Sequence, residues 1–286
     1  MAGTLFVVAT PIGNLEDLTF RALRTLQSVD LIAAEDTRRT AKLLAHYRIQ
    51  KPLVSLREHN EARASTRLLE RLASGESIAL VSDAGTPAIA DPGTRLVREA
   101  RARRLQVLPI PGPNAIAAAL SVSGFDADQF VFLGFPPAKG TARTAWLEAL
   151  AQETRTCVFF EAPHRILRTM ADLQPLLVIR QIIVAREVSK VNESYVIRPN
   201  NGDNDELIEL GEFTVVVSSS SEELKSKHDK VLDAVALFGY LTNKSPISDI
   251  DAEALSAKLL SVPPSALRNA LRKARIASSR LEDRLP

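Results

Sequence analysis

The chain has 286 residues, 45% of them hydrophobic, enough to bury two cores, and one cysteine, Cys157, which rules out an intramolecular disulfide. Its 36 basic and 34 acidic residues leave a formal net charge of +2, so overall charge does not mark a nucleic-acid binder and only local basic patches are left to do so. No Cys and His cluster has metal-ligand spacing, Leu5–Ala9 is too short for a secretory core, and the longest uncharged stretch, Gln106–Phe125, is split by Pro109, Pro111, Gly112 and Pro113, so no metal, no membrane span and a cytoplasmic location are expected.

Leu5-Phe6-Val7-Val8-Ala9 predicts a buried strand that leaves through the loop Thr10-Pro11-Ile12-Gly13-Asn14-Leu15. Thr19 to Ser28 has helical spacing, with Phe20, Leu23 and Leu26 on one side. Strands follow at Leu31–Ala34, ending at Glu35-Asp36-Thr37-Arg38-Arg39, and at Leu53–Leu56, ending at Arg57-Glu58-His59-Asn60-Glu61. A helix over Ala62–Ser74 leads to Ile78-Ala79-Leu80-Val81, an uninterrupted apolar run suited to a parallel strand covered on both faces. The loop Ser82-Asp83-Ala84-Gly85-Thr86-Pro87-Ala88-Ile89-Ala90 follows it, and Asp91-Pro92 reads as the N-cap and first position of a helix from about Gly93 to Arg104. A fifth strand, Gln106–Ile110, ends in Pro111-Gly112-Pro113-Asn114. Alternating strands and helices predict right-handed crossovers, a mainly parallel sheet and a ligand site at the carboxyl ends of its strands.

After a helix over Ala115–Val122 the pattern changes. Phe130–Leu133, Thr156–Phe160, Ile182–Ala185 and Phe213–Val217 read as strands of a mixed sheet, with the loop Pro136–Arg143 and a helix near Trp146 between the first two. Cys157 lies in an apolar run and is expected to be a buried thiol. Val191–Leu210 is irregular, Asn200–Asp205 within it is rich in turn residues, and Ser218–Ser221 reads as a linker. From about Glu222 the chain suggests a helical appendage, with helices Ala252–Leu260 and Ala266–Ile276, the latter capped by Ser265. Arg268, Arg272, Lys273, Arg275 and Arg280 make its end basic, which suits a solvated face as well as an RNA contact. The expected organisation is an α/β domain over 1–113, a mixed-sheet α/β domain over 114–221 and the appendage over 222–286.

Familiar nucleotide motifs are missing. No GxGxxG follows the first strand, Pro11 has no N–H to offer a pyrophosphate, no GxxxxGK[ST] occurs, and the Ser and His residues form no recognisable nucleophile motif. Other blocks carry a likeness: Ala9-Thr10-Pro11-Ile12-Gly13-Asn14-Leu15, Ala34-Glu35-Asp36-Thr37-Arg38, Glu58-His59-Asn60-Glu61, Ser82-Asp83-Ala84-Gly85-Thr86-Pro87 with Asp91-Pro92-Gly93, Pro111-Gly112-Pro113 and Glu161-Ala162-Pro163-His164-Arg165. Together, in order over about residues 3 to 190, they resemble the tetrapyrrole methylase family, and within it the members that methylate small-subunit ribosomal RNA.

The resemblance implies a two-domain α/β fold of the class III methyltransferases with S-adenosylmethionine in the cleft between the domains, in a homodimer. It implies methylation of a cytidine ribose 2′-hydroxyl in the decoding region of 16S rRNA. Matching positions put Pro11, Ile12, Gly13, Asp83, Ala84, Gly85, Ala88, Ala115, Ile116 and Ala162 at the cofactor. Methyl transfer from a sulfonium needs in-line positioning, and a ribose hydroxyl, a weak acid, is helped by a base. Candidates on strand-end loops are Glu35, Asp36, Glu58, His59, Glu161 and His164. Spacing singles out none, and a salt bridge or helix cap is the alternative for each carboxylate; Glu58, His59, Glu161 and Lys139 are carried forward as catalytic candidates. Arg38, Arg57, Arg143, Arg165, Arg186 and Lys190 are the candidate RNA contacts. The competing readings are methylation of a tetrapyrrole precursor on the same fold and a non-catalytic RNA-binding assembly protein. After Lys190 the sequence departs from the family pattern, and Phe213–Ser221 runs into serines where an acidic, glycine-containing ending is more usual.

Overall fold

The computed structural model describes residues 2–177, 180–198, 207–220, 248–259 and 262–272, with isolated positions at 231, 234, 235, 238 and 242. The first half alternates β1 (Thr4–Val8), α1 (Phe20–Ser28), β2 (Leu31–Ala34), α2 (Thr37–His46), β3 (Leu53–Ser55), α3 (Glu61–Ala73), β4 (Ile78–Val81), α4 (Thr94–Ala102) and β5 (Gln106–Ile110). Its sheet has the order β3-β2-β4-β1-β5 with every pair parallel. All of β2 and β4 is buried, as their unbroken apolar runs require.

Alternate residues of the central strands feed two cores. Leu5, Ile78 and Leu80 pack with Leu68 and Leu72 of α3 and Leu96 of α4, whereas Val8, Ala79 and Val81 pack with Leu26 of α1 and Leu44 of α2. Helices α1 and α2 therefore cover one face, and α3 and α4 the other. The neighbouring strands β1 and β4 send their chains to opposite faces, which opens a crevice at their carboxyl ends.

The second half comprises α5 (Ala115–Ser123), β6 (Phe130–Phe132), α6 (Gly140–Gln152), β7 (Thr156–Glu161), α7 (Ile166–Leu173), β8 (Ile182–Arg186), β9 (Ser194–Arg198) and β10 (Phe213–Val217). The sheet order is β6-β7-β10-β8-β9, parallel only between β6 and β7. Helices α6 and α7 pack on one face; α5 packs on the other, where Ile12 from the β1 loop joins its apolar cluster. Cys157 is buried as expected, and burial pushes its thiol pKa up. Further on, α8 (Asp249–Leu259) and a helical stretch at 264–272 enclose a small core that includes Ala257, Val262 and Leu267.

Several local expectations are corrected. Helix α4 starts at Thr94, and its free N–H groups are capped by a residue distant in sequence: Glu61 Oε1 accepts from Gly93 N and Arg95 N, both at 3.0 Å. Asp91 is not the cap, because the chain bends between it and the helix through Gly93, whose φ of 124° admits no other residue without strain. Val191–Leu210 is not wholly irregular: β9 pairs antiparallel with β8 from Arg186↔Ser194 to Ile182↔Arg198, and its run Tyr195-Val196-Ile197 has the aromatic and β-branched residues that suit a strand. Ser218–Ser220 is fastened rather than free, since Ser218 N donates to Gln181 O and Ser220 N to Thr154 O. Ser265 lies inside the first turn of its helix, after Pro264, which fills the position where a missing N–H costs nothing. Two helices the sequence reading did not assign are α2, capped by Asp36 on Arg38 N, and α7. The Asn200–Asp205 loop, Lys273, Arg275 and Arg280 lie outside the described residues.

Glu61→Ala is expected to lower stability by about 1–2 kcal/mol through loss of the α4 cap. The readout is a lower urea midpoint at unchanged slope; an unmoved midpoint would mean that water satisfies those N–H groups equally well.

Candidate functional site

The crevice between β1 and β4 is closed at its base by two hydrogen bonds. Thr10 N donates to Gly85 O at 2.9 Å and Gly85 N to Thr10 O at 3.0 Å, while the Thr10 hydroxyl donates to Ser82 O at 3.2 Å. Gly85 adopts φ +77°, a left-handed conformation that reverses the chain at the bridge. Beyond it Ala88 and Ala90 also take positive φ, 66° and 61°, a strained pair held by the surrounding loop.

Above this bridge lies a cavity of about 320 Å³ formed by strand-end loops of both sheets. The first sheet contributes Ile12, Glu35, Arg39, Asp83–Thr86, Ile89–Asp91 and Asn114–Ile116, and the second Phe135, Phe160, Glu161, Val188 and Glu212–Thr214. Asn114 also caps α5, its Oδ1 accepting from Ile116 N at 2.9 Å and Ala117 N at 3.2 Å, which fixes Ala115 and Ile116 at the wall. Glu161 and Glu212 reach the lining from the second sheet, and the first-sheet loops bring Arg39 and the carboxylates Glu35, Asp83 and Asp91.

These three carboxylates are held differently. Asp83 Oδ1 accepts from Asp36 N at 2.9 Å and Oδ2 lies 3.5 Å from Arg39. Glu35 Oε2 accepts from Asp83 N at 3.3 Å, and burial raises the Glu35 pKa above its ordinary value. Asp91 makes no ion pair among the described residues; burial, then the charge of Glu35, pushes its pKa up to about 6, with Asp83 adding to the rise and the Ser82 hydroxyl opposing it. Asp36, by contrast, is held well below the usual carboxylate range by Arg38.

Of the residues expected at the cofactor, Ile12, Asp83, Ala84, Gly85, Ala115 and Ile116 line the cavity; Pro11, Gly13, Ala88 and Ala162 do not. Gly13 instead lets the β1 loop pack on the turn after β8, where an added Cβ would lie 2.3 Å from Lys190 Cγ. The reading missed Arg39, Thr86, Asn114, Phe135, Phe160, Phe213 and Thr214 as wall residues and took Asp91 for scaffolding. Position at the carboxyl end of a strand was the available signal for Phe160 and Asn114.

Glu58 and His59 occupy an exposed turn after β3, on a polar basin that shares Glu35, Asp83, Ala90 and Asp91 with the cavity. Arg38 and Arg57 line the same basin. Lys139 is exposed at the start of α6, away from both.

Glu161 is buried with both oxygens occupied: Oε1 accepts from Ala162 N at 2.7 Å and pairs with Arg165 at 2.6 Å, and Oε2 accepts from the Thr169 hydroxyl at 2.6 Å. Buried and held by three donors, with Arg165 neutralising its charge, it serves as an anchor. Arg143 is buried too, donating to Asp172, to Thr169 Oγ1 and to Pro137 O, while Arg165 donates to Pro136 O. The two arginines pin the Phe135–Pro136–Pro137 loop to α7 and are corrected from surface contacts to interior clamps. Arg186 donates to Leu210 O at 2.7 Å, and Lys190 lies between Glu187 and Glu212 at 2.9 and 3.2 Å.

The sequence profile of the family described as Tetrapyrrole (Corrin/Porphyrin) Methylases matches residues 4–201. A relative from Xylella fastidiosa (strain Temecula1), named Ribosomal RNA small subunit methyltransferase I, is 45% identical over 271 residues, covering 93% of this chain and 97% of its own. Another of the same name from Pseudomonas aeruginosa is 51% identical over 194 residues, 68% of this chain and 69% of its own. Among solved structures, diphthine synthase matches 76% of this chain and 90% of its own with a TM-score of 0.60 at 15% identity. Uroporphyrin-III C-methyl transferase from Thermus thermophilus, complexed with S-adenyl homocysteine, matches 75% and 97% with a TM-score of 0.53 at 17% identity. At those identities the structural matches speak for the fold alone.

Arg143→Leu is expected to cost about 3 kcal/mol, because it removes a buried guanidinium that pairs with Asp172 and donates to Pro137 O and Thr169 Oγ1, whereas Arg38→Ala, at an exposed ion pair, leaves the urea midpoint nearly unmoved; equal urea midpoints for the two variants would refute the clamp. The Asp91 pKa of about 6 exceeds the roughly 3.9 of an unfolded aspartate, so the folded state binds that proton more tightly and stability falls as pH rises between the two values. Asp91→Asn should therefore gain stability relative to the parent on going from about pH 4.5 to about pH 7.5, measured by urea unfolding; a pH-independent difference would count against the strained carboxylate.

Proposed function

The chain belongs to the tetrapyrrole (corrin/porphyrin) methylase family, and from that premise we propose that it transfers the methyl group of S-adenosylmethionine to a cytidine ribose 2′-hydroxyl in the decoding region of 16S rRNA. The observation that carries the substrate class is the Xylella fastidiosa relative's name combined with its coverage: the 45% identity runs through 93% of this chain, including residues beyond the family profile's end at 201.

The cavity suits such a cofactor. A wall of Ile12, Ile116, Phe160 and Phe213 offers apolar packing for a purine, loops of small residues at Ala84–Gly85 and Ala115 let backbone groups approach, and Asp83 can accept from a hydroxyl or amine. The carboxylates of Glu35 and Asp83 complement a sulfonium cation. When bound, the cofactor supplies a methyl carbon already made electrophilic by positive sulfur. The protein's part is positioning, exclusion of water by the apolar wall, and acceptance of the hydroxyl proton. Ile12, Asp83, Ala84, Gly85, Ala115 and Ile116 hold the cofactor in this reading, with Pro11, Gly13, Ala88 and Ala162 shaping the loops behind them. Glu58 and His59 stand beside the acceptor, and Arg38 and Arg57 meet its phosphates.

The reading extends to the organisation of the chain. Domains of 1–113 and 114–221 are supported by the packing of α5 on the second sheet, and an appendage over 222–286 by the helices at 249–259 and 264–272 among its described residues. A cytoplasmic homodimer is proposed; Tyr195 and Ile197 on the edge strand β9 are exposed and suit a partner copy. No helix among the described residues is long and apolar enough to cross a membrane.

Tritiated S-adenosylmethionine and the purified protein should label small ribosomal subunits from cells lacking it, with the label mapping by mass spectrometry to a cytidine ribose. Labelling of a tetrapyrrole precursor and not of subunits would overturn the substrate, and failure to bind the cofactor by calorimetry would favour a non-catalytic binder.

A further inference from the structure

The site has two compartments, and the wall between them is short. The cavity assigned to the cofactor and the neighbouring polar basin have only Glu35, Asp83, Ala90 and Asp91 in common. Beyond this wall the basin is lined by Arg38, Arg57 and His59 together with Asp36, Glu58 and Glu61, so the two arginines are the fixed cations of a polar basin, whereas the cavity is largely apolar apart from its carboxylates and Arg39. An acceptor oxygen that receives a methyl group from one compartment and belongs to a polymer lying in the other must reach the reacting carbon at this wall. The group that takes its proton must stand there as well.

Three carboxylates occupy the wall, and their partners separate them. Asp83 is committed on both oxygens, to Asp36 N and to Arg39, and Glu35 holds Asp83 N. Asp91 has neither an ion pair nor a backbone N–H donor among the described residues. The loop that carries it is held in a costly conformation, with Ala88 and Ala90 at positive φ and the task of capping α4 given to Glu61 instead. Outside the wall, Arg57 is braced by Glu35 O at 3.1 Å and lies 3.7 Å from Asp36, its side chain still 41% exposed, and Arg38 holds Asp36 at 2.7 Å while its side chain stays 82% exposed, so both guanidiniums keep donors open to a phosphate.

Resting on the methyl-transfer reading above, we propose that the basin rimmed by Arg38 and Arg57 seats the ribose-phosphate backbone of single-stranded RNA and that Asp91 is the catalytic base for the 2′-hydroxyl. As the oxygen's electron pair forms the O–CH₃ bond and the S–CH₃ bond breaks to leave a neutral thioether, the hydroxyl proton passes to an Asp91 carboxylate oxygen. The raised proton affinity of Asp91 supports the assignment, because a base near neutrality takes a proton more readily than one at the usual aspartate value. Glu35, Asp83 and Arg39 line the cavity with Asp91, and Asp36, Arg38, Arg57, Glu58, His59 and Glu61 line the basin with it, so the pH profile reports on the whole set.

The test uses the full-length protein, small ribosomal subunits from cells lacking it, and single-turnover rates across pH. Asp91→Asn should slow methyl transfer by on the order of 10²–10⁴-fold and flatten the acidic limb of the pH profile, while S-adenosylhomocysteine affinity by calorimetry stays within about two-fold of the parent, a change too small to carry a kinetic effect of that size. Asp91→Glu, which keeps the carboxylate, should recover part of the rate, separating chemistry from folding. Arg38→Ala and Arg57→Ala should weaken subunit binding and each reduce the salt dependence of that binding by about one. An Asp91→Asn protein that retains a third or more of the parental rate, or that loses cofactor affinity in proportion to rate, overturns the base; arginine variants with an unchanged salt slope overturn the seat. If the parent protein labels no rRNA, the underlying reading fails and this proposal falls with it, an outcome distinct from an active parent with an unimpaired Asp91→Asn variant.

Discussion

The pair of hydrogen bonds between Thr10 and Gly85 is the constraint on which the site depends. Strands β1 and β4 are neighbours whose chains depart to opposite faces of the sheet, so nothing in the sheet ladder itself holds their loops together beyond the last paired residues. The bridge supplies that hold, with the Thr10 hydroxyl tied to Ser82 O as a third strut. Gly85 makes it possible, because its left-handed backbone turns the chain back while presenting both N–H and C=O to Thr10. From this fixed point Ile12 extends to the apolar cluster of α5, and Asp83 and Asp91 extend toward the loop after β2.

The two halves meet the problem of a polar site by opposite electrostatic means. On the first sheet, carboxylates face the cavity and are stabilised by backbone N–H groups and a few partly exposed arginines. In the second sheet, arginines are buried and stabilise loops from within. Arg180 is the extreme case: it is 3% exposed and donates to the carbonyls of Leu150, Glu153, Arg155 and Ser218, gathering the end of α6, the start of β7 and the end of β10 onto one guanidinium. Arg143 and Arg165 do the same for the Pro136–Pro137 loop, with Glu161 and Asp172 balancing their charge. Rigid loops on one side and a concentration of negative charge on the other make a cleft that holds its shape while attracting a cation.

Where local sequence and tertiary contact disagreed, tertiary contact decided. Asp91-Pro92 has the residue types of a helix start, yet Gly93 intervenes and Glu61, thirty-odd residues earlier, supplies the cap. Arg143 and Arg165 fall in Pro-containing segments that read as loops, the pattern of a surface contact, and only the tertiary structure, with Arg143 on α6 and Arg165 in the turn before α7, directs them inward to the Pro136 and Pro137 carbonyls. In each case a hydrogen-bond partner remote in the chain outweighs a propensity of about 1 kcal/mol or less.

The sequence by itself determined the parallel strands β1 to β5, since only a sheet covered on both faces accommodates runs such as Leu31–Ala34 and Ile78–Val81, and with them the position of the Asp83–Gly85 loop at a carboxyl edge. It also carried the family, in ordered blocks too long to coincide by chance. What only the tertiary structure decided was the division of labour among the charged residues. Glu161 became an anchor, Asp83 a partner of Arg39, Glu35 a partner of Asp83 N, and Asp91 the wall carboxylate with neither an ion pair nor a backbone N–H donor among the described residues. The physical reason is that a side chain's charge is written in the sequence, whereas its solvation and its partners exist only once distant segments have been brought within a few ångströms.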